Sequence, residues 1–135
     1  MIYGVSSREI DSWWDLAEGY VTSALDYGIG EYTSDDIKEA CQQQRMQLWM
    51  FGGDEVEGCF VTQMLDYPQL RVLLVLLLGG NDFDNYKGEV DELLNRFGKD
   101  KDCSYIEFFG RKGWGNFLKD LEYKEQVRMF SKEIL

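Results

Sequence analysis

The sequence predicts an α/β (α+β) domain built on a single mixed, mostly antiparallel sheet flanked by helices. Three observations carry that prediction. Two segments with helical spacing each open on a capping box, at Ser6-x-x-Glu9 and Thr33-x-x-Asp36. Residues 47–78 then read as three consecutive strands joined by tight turns. Beyond them the pattern changes to helix, strand, helix, strand, so the expected order is β-α-α-β-β-β-α-β-α-β.

Ile2 to Val5 reads as the opening strand. After the first capping box, Trp13, Leu16, Ala17, Tyr20, Val21, Ala24 and Leu25 recur at i, i+3, i+4 and mark one apolar helical face. Trp13 lies on that stripe and is expected in the core. Trp14 lies off it and is expected as an exposed, interface-forming indole. Gly28 and Gly30 stop the helix, and a second helix follows Thr33 with Ile37, Ala40 and Cys41 inward.

Gln47 to Phe51 is the next strand, with Trp49 expected to line a cleft. Gly52-Gly53-Asp54 is a hairpin turn, and Glu57 to Leu65 is the returning strand. Past Tyr67-Pro68-Gln69, Leu70 to Leu78 is apolar at every position but Arg71, as in a strand covered on both faces. It is expected to end at Gly79-Gly80. Val90, Leu93, Leu94 and Phe97 form the buried stripe of a further helix. Tyr105 to Phe109 reads as a strand, Gly110 to Gly115 as a loop, and Phe117, Leu118 and Leu121 as the inner side of a short helix. Tyr123 to Ser131 reads as the last strand, with Tyr123, Val127 and Met129 in alternation.

The 135 residues fit one domain, 1–135, without repeat, linker or internal boundary. Hydrophobic residues make up 44% and there is one proline, a packed composition and not a disordered one. No leader peptide opens the chain, and the longest apolar run is far below the roughly 20 residues of a membrane span. Three widely spaced cysteines, Cys41, Cys59 and Cys103, read as reduced, mostly buried thiols, which suits the cytoplasm. The formal net charge of −11 repels nucleic acid and anionic lipid and favours basic partners. The chain has no histidine, so histidine general bases and histidine–metal sites are excluded, and no metal is expected.

Gln47-Leu48-Trp49, Val61-Thr62, Gly79-Gly80, Cys103 to Ile106 and Gly110-Arg111-Lys112-Gly113-Trp114 occur in an order that resembles the GNAT acetyltransferase superfamily. Within it they resemble the small GNAT-like proteins of tailed phages and prophages. The resemblance implies acetyl-CoA as cofactor, held around Leu77, Leu78, Gly79, Gly80, Asn81 and Lys87 in a glycine-rich loop ahead of a helix. It also implies a carbonyl polarised by the backbone of Val75 to Leu77.

The residues of that loop oppose the implied role. Asp82 and Asp84 are each suited to capping the following helix, and each adds negative charge where a pyrophosphate would lie. At about 5 Å and an effective dielectric near 20, each such pair costs roughly 3 kcal/mol. The position matching the family's acid is Leu118, which has no proton to give, and Tyr123 reads as a packing residue. Glu107 and Asp66 are the candidate bases. Arg111, Lys112, Gly113 and Trp114 form the most distinctive local chemistry, two cations beside an indole on a glycine-freed backbone, and read as an interaction loop. The alternative is that its cations pair with carboxylates while Trp114 packs the last helix on the sheet.

Two functions follow from these residues. The first is a phage-type GNAT-like protein with a degenerate loop, acting in a virion, in assembly or on a host protein. That reading carries a protein partner and a place in the host cytoplasm or a virion. The alternative is an N-acetyltransferase that moves acetyl from acetyl-CoA to an amine.

Overall fold

The computed structural model describes the chain except residues 112 and 113 and the side chains of 116 and 117. Strand β1 (Ile2–Val5) leads into helix α1 (Ile10–Leu25) and helix α2 (Ser34–Gln42). Strands β2 (Gln47–Gly52), β3 (Val56–Asp66) and β4 (Arg71–Gly80) form the meander, followed by α3 (Lys87–Asp100), β5 (Tyr105–Phe108) and the short α4 (Trp114–Leu118). Both capping boxes form, and Thr33 Oγ1 accepts from the Asp36 amide at 3.2 Å.

The five strands lie in the order β1-β2-β3-β4-β5. Neighbours are antiparallel except β4 and β5, which run parallel through the α3 crossover. Helices α1 and α2 cover one face of the sheet over Leu48, Met50, Cys59, Val61 and Leu77, while α3 covers the other over Phe60, Leu73, Val75 and Leu78. This two-sided cover explains the apolar run of β4.

Three expectations need correction. The buried stripe of α1 is Ile10, Trp14, Ala17 and Val21, so Trp14 is a core residue and not an exposed indole. The helix packs against α2 as well as the sheet, and burial spreads over more of its circumference than one stripe; Leu16 is left exposed and Trp13 stacks on Tyr3 at the rim. Trp49 lines no cleft. Its N–H donates to Thr62 Oγ1 at 2.9 Å and its ring packs edge-on against Phe97 under α3. Strand β4 ends at Gly80, within the Gly79-Gly80 pair where its end is expected. Finally, no strand follows α4 among the described residues, although 123–131 alternates as a strand should.

Candidate functional site

The site begins with a count of residues along β4. Val61 pairs with Leu77, but the next β3 residue, Thr62, pairs with Val75, so Leu76 is an extra residue on β4. Leu76 and Leu77 consequently both pack on the α1 side. Such a bulge bends its strand and increases the local twist. The parallel ladder to β5 runs from Val72–Tyr105 to Val75–Phe108 and stops one residue before the bulge. The Phe109 amide still donates to the Val75 carbonyl at 3.3 Å, and no rung joins the two strands beyond Val75–Phe108 among the described residues.

Arg111 follows shortly after the end of β5. Its guanidinium lies 3.9 Å from the Tyr27 ring centroid, just past the end of α1, and 5.1 Å from that of Trp114 in α4. Arg111 therefore stacks between two rings, where the sequence offered either an interaction loop or carboxylate pairing. Trp114 packs edge-on against Phe108, as the packing alternative requires. Lys112 and Gly113 lie outside the described residues.

The glycines at the end of β4 are used for packing. A Cβ on Gly79 would lie 2.3 Å from the Tyr20 carbonyl oxygen of α1. Gly80 has φ +131° and would press a Cβ to 2.4 Å from the Glu57 carbonyl oxygen. The Asn81 amide already donates to that carbonyl at 2.8 Å. Leu77 and Leu78 are buried strand residues on opposite faces. Residues 77–81 thus end a strand, and the converging helical N–H groups that suit a phosphate occur further on, at the first turn of α3.

That first turn has no side-chain cap. Asp82 adopts φ 60° and accepts from Asn85 Nδ2 at 2.6 Å, while Asp84 pairs with Lys87 Nζ at 3.0 Å. Neither carboxylate caps α3, contrary to expectation. Lys87 also reaches Asp120 at 3.6 Å. Gly88 sits in the same turn with open space where a Cβ would project. The surroundings remain acidic. Tyr86 Oη donates to Glu57, which pushes the phenol up to about 12, and Glu89 lies 3.4 Å from the Met1 amino group.

The candidate bases separate. Glu107 is exposed and pairs across with Leu74, on the rung before the last. Ile106 and Phe108 face the α3 core, so alternation turns Glu107 to the α1 side. Asp66 is bound to Arg71 at 2.6 Å at the opposite end of β4, away from the bulge. Leu118 is buried. Tyr123 Oη donates to Asp91 Oδ1 at 2.8 Å and its ring stands edge-on to Phe108, joining α3 to β5. Burial, and then Asp91, raise its phenol far above the usual range.

On the α1 side a groove of about 400 Å³ is lined by Leu16, Gly19, Tyr20, Ser23, Gly80 and Asn81. A second, of about 420 Å³, lies along the α1–α2 connection and includes Asp26, Tyr32 and Thr33. Sequence reasoning missed the Leu76 bulge and the Tyr27–Arg111 stack. A bulge inside a uniformly apolar run leaves no trace in hydropathy.

No family model matches the sequence, and no curated protein matches it at a significant level. Solved structures do match. A probable acetyltransferase superposes with a TM-score of 0.74 at 9% identity, covering 100% of this chain and 98% of the other. The aminoglycoside acetyltransferase meta-AAC0020 from an uncultured soil metagenomic sample, in complex with sisomicin, gives 0.67 at 12% identity, covering 100% and 96%. A predicted acetyltransferase with acetyl-CoA from Clostridium acetobutylicum gives 0.66 at 11% identity, covering 98% and 95%. The chain has the GNAT acetyltransferase fold: a mixed five-stranded sheet flanked by helices. At these identities the likeness is one of fold.

Proposed function

We propose that this chain binds acetyl-CoA and transfers its acetyl group to a basic amine. The observation that carries the reading is the end of the β4–β5 ladder at Val75–Phe108, followed directly by Leu76, the β4 residue that the bulge leaves without a β3 partner. A bulge leaves its extra residue outside the ladder, so the backbone N–H of Leu76 is the group offered to a thioester carbonyl. The uncapped first turn of α3, with Gly88 leaving its backbone approachable, suits the pyrophosphate. These residues fit the group. When bound, acetyl-CoA supplies an activated acyl carbon.

The chain's residues would then do three things. The bulge backbone polarises the carbonyl. The α1-side groove at Gly80 and Asn81 orients the amine. Glu107, directly or through a water, takes the proton lost as the new C–N bond forms and the C–S bond breaks. With no acid at Leu118, the departing thiolate takes its proton from solvent. The net charge of −11 favours a cationic amine.

A second reading, an interaction component of a phage particle or of its host, draws on the motif resemblance. Leucine at the acid position and the exposed Arg111, stacked between Tyr27 and Trp114, favour it. Acetyl transfer to spermidine and to a lysine peptide separates the two. Glu107→Gln is expected to lower kcat by 10²-fold or more and to remove the acidic limb of the kcat/KM profile. Turnover that does not depend on Glu107 removes its role, and no turnover on any amine favours the second reading.

A further inference from the structure

Residues 123–135 have the composition of a strand and no strand partner among the described residues. Val127, Met129, Phe130, Ile134 and Leu135 are between 79% and 111% exposed. The sheet meanwhile ends at β5, whose outer edge carries no strand among the described residues, with Tyr105 63% and Phe109 57% exposed beside it. An open edge next to an apolar extended segment is a pairing surface in search of a strand.

The segment does not return to its own edge. Glu122, at φ 69°, turns the chain, and Tyr123 is fixed against Phe108 and Asp91 at the end of β5. From that anchor the tail leads away unpaired. We propose that it is a strand supplied in trans: each of two copies lays residues 123–131 on the β5 edge of the other.

Two features fit a second copy. The first is the pattern of faces. In β5, Ile106 and Phe108 join the α3-side core while Glu107 faces the other way. Val127 and Met129 share one face of the tail with Glu125, and Lys124 and Arg128 share the other with Phe130, so the face that carries two cations is the one set toward Glu107. The second is charge. The tail carries three basic and two acidic side chains, net +1, which leaves −12 on residues 1–122 of the body it would meet. Reciprocal exchange also closes both edges at once, which a single foreign partner would not.

Sedimentation velocity on the full chain at about 50 μM, with hydrogen exchange on the tail, tests this. The expected species has twice the 15.8 kDa chain mass, with residues 123–131 protected. Val127→Asp/Met129→Asp, and separately Val127→Pro, should each shift it to monomer and expose the tail with unchanged circular dichroism. Proline removes a ladder N–H without adding charge. A full-length monomer overturns the proposal, whether its tail is protected on its own β5 or unprotected. A dimer that survives both variants overturns it equally.

Discussion

Val75 and Phe108 form the last rung between β4 and β5, and the extra residue of β4, Leu76, follows immediately. The bulge and the end of the parallel ladder thus fall on adjacent residues of β4. Glu107 is on the rung before the last, and Arg111 stacks between Tyr27 and Trp114 beyond the end of β5.

The glycines that follow in the chain have different reasons for being glycine. Gly79→Ala and Gly80→Ala would drive a Cβ into backbone oxygens of α1 and β3, where nothing flexible can move aside. Each is expected to cost about 2–4 kcal/mol and lower the midpoint of thermal unfolding by about 10 °C. Gly88→Ala meets open space on a helix and should stabilise by about 0.5–1 kcal/mol. Differential scanning calorimetry on the three variants checks both signs.

Tyr123 is a structural residue in this account. Tyr123→Phe removes the bond to Asp91 and should cost about 1 kcal/mol in a denaturant titration. Acetyl transfer should stay within threefold of the parent. A drop of a hundredfold at unchanged stability would instead make its hydroxyl the acid that Leu118 cannot be.

Two buried thiols set an alkaline limit. Burial pushes Cys41 and Cys59 up to about 12, from about 9 in the unfolded chain. Both folded values are raised, so the native state holds protons that the unfolded state releases between pH 9 and 12. Stability is intact below pH 9 and falls above it, by about 1.4 kcal/mol per pH unit for each thiol. Urea midpoints measured from pH 8 to 11 should decline, and less steeply in Cys59→Ala after allowing for its lower starting stability. In the native protein only the half-buried Cys103 should react quickly with a thiol reagent.

Much of the fold was legible because local signals agreed. Both capping boxes start the helical turns they predict, and the uniform apolarity of 72–78 marks a strand covered on two faces. Trp14 was misplaced because a helix packed against another helix as well as a sheet buries more than one stripe. The strand at 123–131 was misplaced because alternation records what a segment is able to pair with, not whether a partner lies within reach. The site was less legible still. Gly79 and Gly80 look like a phosphate loop in the sequence, but Tyr20 and Glu57 come near them only in three dimensions. The bulge at Leu76 is set by pairing register, which no residue within 70–80 encodes alone.

The central claim, that the Leu76 bulge and the first turn of α3 hold acetyl-CoA, is tested most directly by thermal unfolding with and without the ligand. At a hundred times the dissociation constant, binding adds about 2.7 kcal/mol, a rise of about 10 °C in the midpoint. Adenosine alone should give little, and Gly88→Glu should abolish the rise while leaving the unliganded midpoint close to the parent's. Glu57, Asp82, Asp84 and Glu89 stand around the pyrophosphate position, so the rise should grow from 50 to 300 mM salt as their repulsion is screened. No rise at millimolar acetyl-CoA, at either salt concentration, would contradict the account.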